Sequence, residues 1–231
     1  MAYRSNNTYG TLSSAPEGRI IEKVYSLVIS VLEGLDGKSN DNENYLTNKL
    51  CKKLDFNKPP EYSFFFHHQN LENSKENTST DFAVFGTYAY GQSLKQAGEE
   101  FPLVKFEAKR LSSTLPKKRE REYVLGEYES GKQVKNSGGI ERFKNLRHGH
   151  DVHHACILGY IQSDTFEYWE NKINDWIKEE INTPNDVTLL WDENDILRMS
   201  SWSSKVCEYI SYSKRKKLPN IRIRHLWKRF E

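Results

Sequence analysis

The spacing of apolar residues changes at Pro59-Pro60, and this change limits the folds open to the chain. Before the two prolines, apolar side chains recur every three or four residues over 18–35 and again over 43–54, which predicts two amphipathic helices. After them, the apolar runs at 62–68, 81–85 and 102–111 are short and rich in aromatic or β-branched residues, as strands are. Two helices followed by three strands predict an α/β domain with a mixed central β-sheet flanked by helices.

The second half of the chain adds elements of both kinds. Amphipathic spacing predicts a helix over 166–181, and two glycines before Ile140 indicate the start of a shorter one. The segment 153–162 fits a helix running into a strand, and the last strands are expected on either side of a basic turn at 214–217. The polar residues 1–18 are predicted to be a flexible tail, and 19–231 a single domain, because no internal repeat is visible.

Composition excludes some classes of protein and leaves others open. With 36% hydrophobic and 29% charged residues, a chain of 231 residues is predicted to be globular. Its 34 Lys and Arg nearly balance 32 Asp and Glu, so only a local concentration of charge could indicate a nucleic-acid site. Three widely spaced cysteines argue against a disulfide framework. Without a hydrophobic leader or a membrane-length apolar run, the predicted location is cytoplasmic, with no membrane partner.

Three charged residues on predicted strands form the strongest candidate site. Glu107 and Lys109 are two positions apart, so they share a face of their strand, and the apolar residues around them indicate that this strand is central. Charges on a buried strand need compensation. Asp81 begins the preceding strand, and with Glu107 and the carbonyl of Ala108 it would offer oxygen ligands suited to Mg²⁺ or Mn²⁺. Lys109 could then position an attacking water for phosphodiester hydrolysis.

The pattern Asp81…Glu107-x-Lys109 resembles that of the PD-(D/E)xK nuclease superfamily, which has the restriction-endonuclease-like fold. Thr80 takes the place of the usual proline before the aspartate. The resemblance covers roughly 43–109. It implies a four-stranded mixed sheet flanked by helices.

The resemblance also implies a function and a fuller set of metal ligands. A third acidic ligand often comes from an early helix, for which Glu43 is the candidate and Glu22 the reserve. A looser likeness over 138–161 is to stand-alone nucleases from bacterial defence neighbourhoods. The expectation is a metal-dependent deoxyribonuclease that acts in restriction or anti-phage defence. DNA is the expected substrate, and the candidate protein partners are a second copy of the chain or a partner defence protein.

Basic residues near this motif are candidates for phosphate contacts. They follow the predicted catalytic strand in a nearly neutral chain, although a solvated loop is the simpler interpretation of such a run. A rival function is a catalytically inactive nucleic-acid- or partner-binding module that keeps the nuclease fold; the complete Asp, Glu and Lys set favours the enzyme. The residues predicted to bind nucleic acid are Arg110, Lys117, Lys118, Lys132, Arg142, Lys144 and His148.

Two other sites deserve comparison with the nuclease motif. The histidines between His148 and Cys156 could bind zinc, but no paired-cysteine or HExxH pattern accompanies them. Arg142 and His148 faintly resemble the Arg…His pair of metal-independent HEPN ribonucleases. That pair needs a long helix in an all-helical domain, which Gly149 and the surrounding strands disfavour.

Overall fold

The computed structural model describes residues 16–73, 78–93, 101–130 and 132–230. The helices are α1 (Pro16–Glu33), α2 (Glu43–Asn57), α3 (Tyr88–Ser93), α4 (Gly139–Lys144) and α5 (Phe166–Asn182). The strands are β1 (Phe64–Asn73), β2 (Thr78–Gly86), β3 (Phe101–Leu111), β4 (Glu127–Glu129), β5 (Lys132–Lys135), β6 (His154–Ile161), β7 (Arg198–Trp202), β8 (Val206–Arg215) and β9 (Leu218–Arg229).

Seven strands form one mixed sheet in the order β1-β2-β3-β6-β9-β8-β7. The pairs β3–β6 and β6–β9 are parallel, and the other neighbours are antiparallel. Strands β4 and β5 form a separate two-stranded hairpin. The sequence-based prediction of an α/β fold with a mixed central sheet is therefore confirmed, although the sheet has seven strands where the resemblance implies four.

Helices cover both faces of the sheet and create two core layers. Apolar residues of α1 and α2 pack against one face, together with alternate residues of β3 such as Phe106 and Ala108. Apolar residues of α4 and α5 pack against the other face, together with Leu111 of β3. Because strand side chains alternate between faces, Glu107 and Lys109 lie on the α4 and α5 side with Leu111.

The main differences from the sequence-based prediction lie between the predicted elements. The predicted strands at 62–68 and 81–85 are too short: β1 continues to Asn73 and β2 begins at Thr78, because the two strands pair through positions such as Asn70 and Thr80. The ambiguous segment 153–162 contains β6, whose apolar run is continuous because parallel strands are covered on both faces.

The first helix begins earlier than predicted. Because α1 begins at Pro16, the helix takes in the last three residues of the predicted tail, and 1–15 lie outside the described residues. Among the helices that the structure describes, none is long and apolar enough to cross a membrane.

Candidate active site

The site lies where β3 extends beyond its partner β2. The pairing of the two strands reaches Phe106 on β3, and the next peptide groups on that side bind side chains instead. The N–H of Ala108 donates to Oδ2 of Asp81 at 2.6 Å, and the N–H of Arg110 donates to Oε2 of Glu43 at 3.0 Å. Two carboxylates therefore replace strand-to-strand hydrogen bonds at this edge.

Glu43 reaches the edge of β3 from the other side of the sheet. It is the first residue of α2, and Asn42 caps this helix by accepting a hydrogen bond from the N–H of Tyr45 at 2.7 Å. Capping fixes the direction in which the helix begins, and an acidic residue in its first turn is favoured by the helix dipole. The helix start thus delivers a third carboxylate to the site.

Glu107 is buried among three nitrogen-bearing side chains. Its Oε1 accepts hydrogen bonds from Nζ of Lys109 at 2.6 Å and from Nη1 of Arg142 at 2.5 Å. On its other side, Nδ1 of His148 lies 3.2 Å from Oε2, at ion-pair distance but without the alignment of a hydrogen bond. Arg142 comes from α4, and His148 from the loop that follows it. The carboxylate is held by residues from three segments of the chain.

The carboxyl groups of the site differ in charge state. Burial, followed by the negative charge of Glu107, raises the pKa of Asp81 to about 8. Burial also raises the pKa of Glu43, with Lys109 opposing the shift. Burial alone would raise the pKa of Glu107, but Lys109 and the nearby imidazole and guanidinium groups hold it below its usual value.

The ammonium of Lys109 balances these carboxylates. Burial alone would lower the pKa of Lys109, but Glu107 and Glu43 raise it above its usual value. The site therefore favours the charged form of Lys109, the ionised form of Glu107 and, in the absence of metal, the neutral form of Asp81.

The four residues of the predicted catalytic set line one open cavity of about 370 Å³: Glu43, Asp81, Glu107 and Lys109. Arg142 also lines it, as do Lys135 of β5 and Ser137 just after that strand, which the sequence-based analysis did not single out. A larger cavity of about 880 Å³ is lined by Lys117 and Tyr128, among others, and Lys118 lines both cavities. The larger cavity carries charge of both signs, because Arg121 and the two lysines lie among Glu120, Glu129, Glu179 and Glu180.

The donor atoms at this edge suit an oxygen-ligated cation. In a strand, the N–H and C=O of one residue face the same neighbour, so the carbonyl of Ala108 faces the side on which Asp81 lies. Carboxylate and carbonyl oxygens are ligands of Mg²⁺ and Mn²⁺, so the residues fit such an ion.

The carboxylates are not drawn together around a common point. Within the described chain, the one trio of potential metal ligands whose atoms lie within 4.8 Å of one another is Glu72, His150 and Asp151. There Nζ of Lys105 already bridges Glu72 at 2.7 Å and Asp151 at 2.9 Å. At the β3 edge, Lys109 likewise provides the positive charge beside Glu107.

Comparison with known proteins gave no relative for this arrangement. A scan against protein-family models, a search of curated proteins and a search of solved structures found no match. The functional argument therefore rests on the residues of the site.

Two residues predicted to bind nucleic acid are buried, so the prediction is wrong for both. Lys144 is fully buried and pairs with Asp195 at 2.8 Å, so it cannot reach a phosphate. His148 is 1% exposed and contacts Glu107 in place of solvent. Both lie at or beyond the end of α4, where the local sequence does not reveal which residues turn inward.

The other predicted phosphate-binding residues remain open to solvent to different degrees. The guanidinium of Arg142 is partly exposed and held by Glu107, while Arg110 is half-buried. The lysines Lys117, Lys118 and Lys132 are exposed, and Lys118 pairs with Glu127 at 3.3 Å. For these residues, phosphate contact stays a prediction.

The structure does not support the reserve ligand Glu22, the zinc site or the HEPN pair. Glu22 pairs with Arg224 and is not among the residues lining the 370 Å³ cavity. Cys156 is buried in the core layer on the α1 and α2 side, and no zinc-type trio that includes it is found among the described residues. The HEPN interpretation needs a long helix, whereas α4 has six residues; its Arg142 and His148 meet on Glu107 instead.

Proposed function

We propose that the protein is a metal-dependent deoxyribonuclease that hydrolyses phosphodiester bonds in restriction or anti-phage defence. The observation that carries the proposal is that Glu43, Asp81, Glu107 and Lys109 line one solvent-accessible cavity beside the part of β3 that extends beyond β2. Buried charges are costly and are kept at functional sites more often than elsewhere.

The sheet topology supports the same proposal. Strands β1, β2, β3 and β6 are neighbours and form a four-stranded mixed unit, with α1 and α2 before it in the chain. The PD-(D/E)xK resemblance implies a four-stranded mixed sheet, so this unit supports the proposal, although β9, β8 and β7 extend the sheet on one side.

Each residue of the site has a separate role in the proposed hydrolysis. Mg²⁺ or Mn²⁺ held by Asp81, Glu107 and the carbonyl of Ala108 would lower the pKa of the attacking water and offset charge on the phosphate. The water oxygen bonds to phosphorus while the bond from phosphorus to the leaving oxygen breaks. Lys109 orients the water and stabilises the negative charge of the transition state.

The rival is a binding module that keeps the fold without catalysis. This rival is favoured by the ion pairs of Glu107 with Lys109 and Arg142, because such a network balances the buried charge without a metal ion. The two functions differ in whether removal of the lysine charge affects a reaction or only stability.

The decisive experiment measures single-turnover cleavage of a labelled DNA duplex in Mg²⁺ or Mn²⁺, and duplex binding in Ca²⁺. Lys109→Met keeps the side-chain length and removes the charge, so we expect cleavage to slow by about 10²–10³-fold, as for other single electrostatic groups, with binding little changed. The matched control is Lys216→Met, an exposed lysine in the turn between β8 and β9. If Lys109→Met cleaves as fast as the parent, or the parent does not cleave, the binding module is the better proposal.

A further inference from the structure

We infer that His148 is a positioning residue that keeps Glu107 in its metal-binding orientation during the reaction. The inference rests on the proposed function and names a residue outside the Asp, Glu and Lys set. Its starting point is an unusual contact: Nδ1 of His148 lies 3.2 Å from Oε2 of Glu107, and both side chains are almost fully buried.

The imidazole faces Glu107 from behind the cavity. His148 is 1% exposed, and it is not among the residues that line the 370 Å³ cavity. Within the described chain, neither of its ring nitrogens has a hydrogen-bond partner, although the Phe143 ring packs edge-on against it at 6.1 Å. A buried polar ring without a hydrogen bond is therefore directed at a buried carboxylate oxygen that also lacks one.

Buried charged side chains hold the backbone beside His148. The N–H of Gly149 donates to Oε2 of Glu72 at 3.1 Å. The guanidinium of Arg215 donates to the carbonyl oxygens of Gly149 at 2.8 Å and Val152 at 2.9 Å. Gly149 has a φ of +67°, a conformation that glycine adopts at little cost. Two buried ionic groups thus fix the loop that presents His148 to Glu107.

The contact between His148 and Glu107 matters most during the reaction, when the other contacts of Glu107 weaken. In the structure, Oε1 of Glu107 is held by Lys109 and Arg142. In the proposed reaction Lys109 orients the attacking water, and Arg142 is a predicted phosphate contact, so both hydrogen bonds to Oε1 would weaken. His148 does not reach the cavity, so its contact with Oε2 remains and limits rotation of the carboxylate. Side chains that orient a metal ligand in this way typically change metal affinity by about 10–100-fold.

Three substitutions separate positioning from simple packing. In His148→Asn an amide nitrogen takes roughly the place of Nδ1, whereas in His148→Gln it takes roughly the place of Nε2, and His148→Leu has no polar atom. We expect His148→Leu and His148→Gln to weaken Mn²⁺ affinity by about 10–100-fold, with cleavage at saturating Mn²⁺ near that of the parent. We expect His148→Asn to bind Mn²⁺ about as tightly as the parent. The readouts are Mn²⁺ titration by calorimetry without DNA and the Mn²⁺ concentration that gives half-maximal cleavage.

The outcomes distinguish this inference from the proposed function. If the parent neither cleaves nor binds Mn²⁺, the proposed function fails and the inference with it. If the parent cleaves, Lys109→Met does not, and Asn and Gln at position 148 bind Mn²⁺ equally well, only the positioning role is overturned. Should His148→Leu fail to fold, the comparison of Asn with Gln still decides, because both are polar and of similar size.

Discussion

At the scale of single residues, the site separates two carboxyl groups that share one cavity. Burial and then the negative charge of Glu107 raise the pKa of Asp81 to about 8, although Lys109 opposes the shift. Glu107 is buried more deeply, yet its cationic neighbours keep it ionised. Environments that move two nearby acids in opposite directions are typical of acid–base sites.

Asp81→Asn should remove a pH dependence of stability in the metal-free protein. The neutral acid stabilises the fold fully below its usual pKa of 3.8, and this stabilisation is lost as the pH rises toward the folded pKa of about 8. Asparagine cannot ionise. The gain in unfolding free energy of Asp81→Asn over the parent should therefore grow with pH, by at most about 1.4 kcal/mol per unit.

Urea denaturation in EDTA at pH 5, 7 and 9 measures this difference. The expected order is a small difference at pH 5, a larger one at pH 7 and the largest at pH 9. A difference that is the same at all three values would show that Asp81 is already ionised at pH 5.

At the scale of elements, α4 is anchored to the sheet by a buried ion pair. Nζ of Lys144 lies 2.8 Å from each carboxylate oxygen of Asp195, and the hydroxyl of Ser213 on β8 donates to the same carboxylate at 2.5 Å. The Trp191 ring lies 4.4 Å from the ammonium. This helix also carries Arg142, so the ion pair fixes one side of the candidate site.

Lys144→Met should destabilise the protein and leave its binding to a DNA duplex unchanged. It leaves the buried Asp195 carboxylate without its cation, which typically costs about 3–5 kcal/mol of unfolding free energy. The control is Lys178→Met on α5, whose pair with Asp175 is exposed and should change stability by less than about 1 kcal/mol. Urea denaturation gives both values. If Lys144→Met keeps the stability of the parent but binds the duplex more weakly, Lys144 contacts nucleic acid and the ion-pair interpretation is wrong.

At the scale of the whole molecule, the net charge does not indicate a nucleic-acid partner, whereas a local concentration of basic residues can. The chain carries only +2, but Lys117 and Lys118 both line the 880 Å³ groove, and Lys118 also lines the cavity of the candidate site. If a duplex lies along this groove, its phosphates displace counterions there and make binding dependent on salt.

Lys117→Ala combined with Lys118→Ala should weaken duplex binding about equally across DNA sequences. It should also reduce the slope of log affinity against log salt by about one unit for each lost contact. The control is Lys216→Ala with Lys217→Ala, in the turn before β9, roughly 30 Å along that strand from the residues level with Lys109. Binding titrations at several salt concentrations measure the slope. An unchanged slope in the first variant, or an equal loss in the control, would contradict a groove-specific contact.

Local pattern predicted several of the long elements and the strand face that carries Glu107 and Lys109. Apolar spacing predicted a helix over 18–35, and α1 spans Pro16–Glu33; the predicted strand at 102–111 matches β3. The two-residue spacing of Glu107 and Lys109 already placed both on one strand face, because alternation along a strand is a local property. The basic turn at 214–217 likewise joins β8 and β9 as expected.

Only the tertiary structure decided which charged residues meet and which are buried. The N–H of Arg110 binds Glu43 from a helix 67 positions earlier, and Arg142 and His148 converge on Glu107 although the sequence offered them as surface or ribonuclease residues. Lys144, two positions after Arg142, turns into the core. Burial and pairing depend on which distant segments pack together, and local periodicity carries no record of those contacts.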